Sequence, residues 1–129
     1  MNDHLSDMAT RIRNAYLVGK KTVSMPHTNL LEAVARVMHD EHYLDSVDVV
    51  DGQPGKTLVL KLVYVDGKPA VQSLKRISKP GVRIYQKVKE FRPILSGLGI
   101  SILSTSQGVM TAYKAKANKL GGEVLVELW

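Results

Sequence analysis

Apolar residues follow two different spacings in the first half of this 129-residue chain, and these spacings constrain the fold more than any other feature. Over residues 5–16 and 30–38 they recur every three or four positions, which predicts two amphipathic helices. Over residues 47–49 and 58–62 they alternate, on either side of a turn that contains glycine and proline. With a short strand at residues 21–25, the order predicted for the first half is α-β-α-β-β.

The Asp66-Gly67 pair marks a turn, and we take it as a domain boundary. Residues 1–66 would form an N-terminal α/β domain and residues 67–129 a C-terminal β-rich domain. In the second half we expect strands over 71–78, 82–85, 100–103 and 123–129, a helical turn at 90–93 and a short helix over 111–118. The expected fold class is α/β of the α+β kind: two small packed domains, the second mainly antiparallel β with a short helix.

Composition excludes several classes of function. The chain has no cysteine, so disulfides, thiolate nucleophiles and cysteine-ligated zinc are ruled out. No stretch approaches the roughly 20 apolar residues that cross a bilayer, and the first residues lack the pattern of a signal peptide. We therefore expect a cytoplasmic or organelle-internal protein with no membrane partner, no cofactor and no small-molecule substrate.

Positive charge is concentrated in the second half. Residues 65–129 carry 11 Lys and Arg against 4 Asp and Glu, a balance of +7, whereas residues 1–64 carry 7 against 8, a balance of −1. Such a field favours nucleic acid or an anionic membrane surface as the partner, and the membrane is the weaker option because no stretch could span a bilayer. Aromatic residues are scarce, at 5% of the chain, so stacking along a single strand is not expected. A structured nucleic acid fits this composition better.

Three adjacent hydroxyl residues, Ser104, Thr105 and Ser106, precede Gly108 between an apolar strand and a lysine-rich segment. An ordinary strand-to-turn junction has the same composition. The surrounding cations favour the alternative, a surface that contacts a polyanion, because hydroxyls donate and accept hydrogen bonds on short stems. A-form RNA displays its 2′-hydroxyls in a shallow minor groove that short side chains can read. We therefore assign the three hydroxyls to recognition.

Further candidates lie along the basic half. Arg83 and Tyr85 alternate onto the same face of a predicted strand, where the cation suits a phosphate and the ring a base or ribose. A solvated edge strand would look similar. The cations assigned to phosphate contacts, besides Arg83, are Lys87, Lys114 and Lys116.

The first helix supplies a second set of candidates. Arg11 and Asn14 lie away from its apolar face, and Arg13 lies a little to one side. A solvated helix face has the same pattern, so both interpretations stay open here.

Several motifs in combination resemble the bacterial-type small-subunit ribosomal protein S8 family. They lie at residues 7–15, 79–85, 97–100, 104–111 and 121–123, with Trp129 at the end. The match spans essentially the whole chain. Its most specific part is the string Ser-Thr-Ser-x-Gly-Val-Met-Thr followed at this distance by Gly-Gly-Glu.

The resemblance implies a two-domain α/β protein that is not an enzyme but a structural constituent of the ribosome. It implies binding to one helical region in the central domain of 16S-type rRNA and a part in assembling the platform of the small subunit. Implied partners are that rRNA, neighbouring small-subunit proteins and, in bacteria, a messenger of the protein's own operon that mimics the rRNA site. The family's RNA surface maps onto Ser104, Thr105, Ser106 and Gly108, with Tyr85 and Glu123 nearby and a secondary contact around Arg11 to Asn14.

Two positions depart from the family pattern. Gln107 stands where a lysine often follows the hydroxyl run, so the phosphate contact that the family's lysine implies is not carried over to this chain. Ala112 stands where an aspartate commonly follows Met-Thr, so the first turn of the short helix lacks an acid that would favour its dipole by about 0.3–1 kcal/mol. We expect altered electrostatics and unaltered geometry at the site.

Two other functions are possible from the sequence. His39 and His42 flank two carboxylates, and two aspartates follow at Asp45 and Asp48, which is the composition of a metal-dependent hydrolase. The spacing is not that of a His-Glu-x-x-His site, and ordinary solvated residues explain it. A sequence-independent RNA chaperone would use the same cations and would bind unrelated hairpins equally well.

Overall fold

A computed structural model describes residues 3–52, 54–93 and 97–129. Contacts divide the chain into two compact units, one of Ser6–Val71 and one of Gln72–Trp129 together with the first residues up to Leu5. The elements up to the end of the first unit are α1 His4–Leu17, β1 Thr22–Pro26, α2 Asn29–Asp40, β2 Leu44–Val50, β3 Thr57–Leu62, β4 Tyr64–Val65 and β5 Lys68–Pro69. The predicted order α-β-α-β-β is confirmed.

Local hydrogen bonds and backbone conformation set the start of α2 and the end of α1. Thr28 caps α2, since its hydroxyl accepts a hydrogen bond from the backbone N–H of Leu31 at 3.1 Å. At the end of α1 the chain reverses through Gly19, whose φ of +73° is readily adopted only by glycine. The N–H of Lys20 then donates to the carbonyl of Ala15 at 2.9 Å, which closes the helix.

The first unit is built on a three-stranded antiparallel sheet in the order β1-β3-β2. The alternation of β3 places Leu58 and Leu60, both 0% exposed, on its inner face. Helix α2 buries Leu31, Val34, Ala35 and Met38. This core explains the two spacings of the sequence, because helices and strands each present one apolar face to it.

A small hairpin follows this sheet. Strands β4 and β5 pair around Asp66 and Gly67, which both have positive φ, as a tight hairpin turn requires. The turn predicted at this point is confirmed. The domain boundary at residue 66 stays a prediction.

The second unit contains β6 Leu74–Arg76, β7 Tyr85–Gln86, a 3₁₀ turn Val88–Glu90, β8 Ile100–Thr105, β9 Gly108–Thr111, α3 Ala112–Ala117 and β10 Gly122–Leu128. Four strands form an antiparallel sheet in the order β6-β10-β8-β9, and β7 also pairs with β10. Helix α3 contributes Ala112 and Ala115 to a core with Leu103, Met110 and Val124. The α+β class is therefore confirmed, with antiparallel sheets in both units.

The strand predicted over residues 71–78 is shorter than expected. Strand β6 covers Leu74–Arg76, although the N–H groups of Ile77 and Ser78 still bond to β10 at 3.0 Å each. In the pairing of β10 with β8 the register shifts between Val124 and Val126, just before Val126, which is in register with Arg76 at the end of β6.

The strand predicted over residues 82–85 is largely wrong. Lys79 and Val82 bond to each other through both backbone groups, at 2.8 and 3.0 Å, and this closes a tight turn. Ile84 donates its N–H to the Ser78 hydroxyl and not to a strand. Regular pairing starts only at Tyr85.

The helical turn expected at residues 90–93 lies earlier, at Val88–Glu90. The Glu90 N–H donates to the Lys87 carbonyl at 2.9 Å, and the Glu90 carboxylate accepts from the Lys87 N–H at 2.8 Å. Pro93 disfavours helical backbone at the residue before it, so the turn forms ahead of it. Among the residues described, no helix has the length and apolar character to cross a bilayer.

Candidate nucleic-acid interface

The hydroxyl segment forms the end of the β8–β9 hairpin. Ser104 and Thr105 end β8, Ser106 and Gln107 make the turn, and Gly108 begins β9 with a φ of +114°. The Thr105 hydroxyl donates to the Gly108 carbonyl at 2.7 Å and accepts from the Gln107 N–H at 3.1 Å. It therefore shapes the turn, while the exposed Ser106 makes no side-chain hydrogen bond within the described chain.

A row of paired residues crosses the sheet beside this turn. Glu123 on β10 pairs with Tyr85 on β7 and with Ser104 on β8, and Ser104 in turn pairs with Val109 on β9. Directly paired residues project from the same face of a sheet, so these four side chains share one face. We call them the cross-strand row.

The opposite face of the same strands is apolar. Leu103, Met110 and Val124 each precede or follow a member of the cross-strand row and project the other way, into the core covered by α3. The row therefore has a packed layer behind it, and its backbone spacing is fixed by the ladder.

Two glycines let the strands of the row approach closely. A Cβ on Gly122 would collide with the carbonyl oxygen of Ser104, and one on Gly121 would lie 2.6 Å from the carbonyl oxygen of Gln86. Both contacts are with backbone, which cannot move aside as a side chain can. Gly-Gly before Glu123 is thus a packing requirement of the row.

Glu123 does not stand alone in the row. Its Oε2 lies 2.8 Å from Nη1 of Arg83, and the side chains of Arg83 and Glu123 are 52% and 15% exposed. Burial raises the pKa of Glu123, but hydrogen bonds from Arg83 and from Ser78 outweigh it and hold that pKa below its ordinary value. The same hydrogen bond to Glu123 raises the pKa of Arg83. Glu123 is therefore ionised at neutral pH.

The three predicted phosphate lysines are exposed and lie on other elements. Lys87 precedes the 3₁₀ turn, and Lys114 and Lys116 lie on α3, which packs on the apolar face of the sheet. The Lys116 ammonium lies 4.8 Å from the centroid of the Phe91 ring, a cation–π contact. Lys116 thus has an internal partner that the sequence did not indicate.

The N-terminal candidates lie on α1 in the first unit. Arg11 is held by Asp7 at 2.9 Å and by the Ser24 carbonyl at 3.0 Å, on the edge strand β1. Arg13 donates to the Ala9 carbonyl at 3.2 Å within the helix. Asn14 is exposed and lines a shallow concavity with Arg11 and other residues of α1 and β1. The structure brings Arg11 and Asn14 together and leaves Arg13 outside that concavity.

Sequence reasoning missed Ser78, which is 0% exposed. Its hydroxyl accepts from the Ile84 N–H at 2.7 Å and donates to the Ile84 carbonyl at 3.2 Å, so it fixes the backbone between Arg83 and Tyr85. It also helps to lower the pKa of Glu123. A serine before Lys-Pro-Gly carries no local signal for this role, because its partners come from a turn and from a distant strand.

The residues of the hydrolase alternative have other partners. His39, Asp40, His42 and Asp45 line one concavity, but Asp45 is paired with Lys61 at 3.2 Å. Within residues 3–52, 54–93 and 97–129, no group of three or more His, Asp or Glu side chains is arranged to hold a metal ion.

Comparison with known proteins identifies the family. The model of the family described as ribosomal protein S8 matches residues 3–129. The small ribosomal subunit protein uS8 of Bordetella avium is 47% identical over 125 residues, covering 97% of this chain and 95% of that protein.

Two further relatives carry the same name. The uS8 protein of Ruthia magnifica is 46% identical over 129 residues, covering 100% of this chain and 98% of its own length. That of Thioalkalivibrio sulfidiphilus is 47% identical over 127 residues, covering 97% and 95%. These relatives are ribosomal proteins and not enzymes, which decides against the hydrolase alternative. The sequence motifs, the α+β fold and the full-length match agree, and this chain belongs to the ribosomal protein S8 family.

Proposed function

We propose that this protein is an rRNA-binding structural constituent of the small ribosomal subunit. It binds one helical region in the central domain of 16S-type rRNA and helps assemble the platform, beside neighbouring small-subunit proteins and in the cytoplasm of a bacterium. The observation that carries the proposal is the exposed Ser106 turn beside the cross-strand row, in a chain of this family.

The chemistry of this surface suits a folded RNA. Ser104 and Ser106 offer hydroxyls on short stems, and Gly108 has open space around its Cα, so a backbone or a ribose can approach closely. The exposed ring of Tyr85, at 69%, adds an apolar platform with a hydroxyl at its tip. These groups read shape and 2′-hydroxyls, and they are too short to enter the deep major groove.

Exposed cations on other elements of the second unit supply affinity without sequence preference. Lys87, Lys114 and Lys116 are exposed, and each phosphate that they neutralise releases counterions. Affinity should therefore fall with salt, while discrimination between RNAs rests on the hydroxyls and Tyr85. The secondary contact proposed for α1 would involve Asn14 and Arg13, with Arg11 beside them.

The test is binding of the purified protein to its rRNA helix and to a scrambled hairpin of equal length. Ser106→Ala should lower affinity for the rRNA helix by about 1–3 kcal/mol and leave the scrambled hairpin nearly unchanged. The matched control is Ser46→Ala, a serine of β2 in the other unit, which should change neither affinity. Equal losses on both RNAs after Ser106→Ala would contradict the recognition role, and no preference in the unaltered protein would favour the chaperone alternative.

The same surface is proposed to bind a messenger of the protein's own operon that mimics the rRNA site. Competition between the two RNAs for one protein molecule tests this. Simultaneous binding of both would contradict a shared surface.

A further inference from the structure

The carboxylate of Glu123 is an unusual group for a surface that contacts a polyanion. An unpaired carboxylate would repel phosphates, and only 15% of the Glu123 side chain is exposed for direct contact. The side chain that pairs with it, that of Arg83, is 52% exposed. Of the two groups, the cation is the one that a ligand reaches.

Arg83 has more donors than Glu123 uses. A guanidinium carries five N–H groups in a rigid fork that matches phosphate oxygens, and only Nη1 bonds to Glu123 Oε2. We propose that Glu123 is a positioning residue that acts through Arg83, fixing its guanidinium so that the exposed N–H groups bind one RNA phosphate beside the hydroxyl turn. This inference rests on the proposed function.

Both ends of the pair are anchored in the sheet. Glu123 lies on β10 between two paired strands, and its side chain is 15% exposed. Next to Arg83, Ile84 donates its N–H to Ser78 at 2.7 Å and accepts from the Val124 N–H at 2.9 Å. The guanidinium is thus held before RNA arrives, which reduces the entropy lost on binding.

The sign of the effect separates this role from general electrostatics. Removing Glu123 removes a negative charge, which by itself strengthens binding to any polyanion. If Glu123 positions Arg83, its removal instead weakens binding to the rRNA helix, because the guanidinium loses its orientation. A scrambled hairpin, which does not depend on that orientation, gains or keeps affinity.

The experiment measures affinities for the rRNA helix and the scrambled hairpin, with thermal unfolding of each variant as a folding control. Glu123→Ala should weaken binding to the rRNA helix on the order of tenfold, without weakening binding to the hairpin. Glu127→Ala is the matched control on the same strand, and it should weaken neither. Arg83→Lys keeps the charge but lacks the fork, so it should also weaken only the rRNA complex.

A double-mutant cycle completes the test. In an Arg83→Ala background, Glu123→Ala should cause no further loss, and Arg83→Ala alone should lower the salt slope by about 1. Independent losses from the two changes, unchanged or tighter rRNA binding by Glu123→Ala, or full affinity in Arg83→Lys would overturn the inference. If the unaltered protein does not prefer the rRNA helix, both the proposed function and this inference are wrong. If it prefers the helix but the variants do not behave as expected, only this inference is wrong.

Discussion

Cations in the two halves of this chain differ in what holds them. Among the 7 Lys and Arg of residues 1–64, Arg11, Arg36 and Lys61 are paired with carboxylates. Among the 11 of residues 65–129, only Arg76 and Arg83 form such pairs, counted over the residues that the structure describes. The first half pairs a larger share of its cations with carboxylates, and the second leaves most of its cations unpaired with carboxylates among the described residues.

The comparison also shows that a charge count does not identify a binding group. Arg11 and Arg83 are both in ion pairs with one N–H···O contact, yet Arg11 additionally holds the Ser24 carbonyl of an edge strand. Arg83 donates to the Glu123 carboxylate at 2.8 Å, and its side chain stays 52% exposed. Two arginines of equal charge therefore have different capacity for a phosphate.

The largest effect expected is on stability in the second unit. Gly122→Ala places a Cβ against the Ser104 carbonyl, so we expect the free energy of unfolding to fall by about 1–3 kcal/mol. The matched change Gly55→Ala, in the first unit, has open space and should alter it by less than about 0.5 kcal/mol. Denaturant unfolding measures both, and equal effects would show that the close approach is not a constraint.

Arg11 and Lys114 sharpen the comparison between the halves. Arg11→Ala removes two internal hydrogen bonds and should lower the free energy of unfolding by about 1 kcal/mol, with little change in the salt slope of RNA binding. Lys114→Ala should leave the free energy of unfolding nearly unchanged and reduce the salt slope of RNA binding by about 1. A reduced slope after Arg11→Ala would mean that this guanidinium also reaches a phosphate.

Lys116 should show both effects. Its ammonium lies over Phe91, so Lys116→Ala should lower the free energy of unfolding by about 0.5–1 kcal/mol. Because the side chain is exposed, the salt slope should fall as well. Lys119→Ala, just beyond α3, serves as a control that should leave stability unchanged. An unchanged slope would remove Lys116 from the phosphate contacts.

The smallest effect expected is in the acid dependence of stability. The folded pKa of Glu123 is lowered, so its contribution is present above the ordinary value of 4.5 and is lost as pH falls through the folded pKa. Glu123→Gln should therefore be less stable than the unaltered protein at neutral pH, and the difference should shrink below about pH 4.5. Thermal unfolding from pH 3 to 7 measures this, with Glu127→Gln as control. A difference that is constant with pH would contradict the ion pair.

Local signals predicted a large part of this fold, and long-range contacts account for the rest. Thr28 as a cap and Gly19 as a stop are local features, and both were predictable from neighbouring residues. The length of β6 depends on its pairing with β10, far along the chain, so no pattern within residues 71–78 indicates it.

The candidate site shows the same division. The hydroxyl turn was found because its residues are adjacent in sequence. The Arg83–Glu123 pair joins residues 40 positions apart, and Ser78 acts through a turn that the alternation over 82–85 concealed. The family resemblance implied that Glu123 lies near the RNA-binding surface. Only the structure shows that the Arg83 guanidinium donates to its carboxylate.

The cross-strand row also acts as a ruler. Tyr85, Glu123, Ser104 and Val109 occupy four adjacent strands, and the three intervals between them span roughly 14 Å at the usual strand separation. Because backbone hydrogen bonds fix each interval, the spacing of the four side chains does not change on binding. A ligand that contacts all four must therefore present groups over the same length.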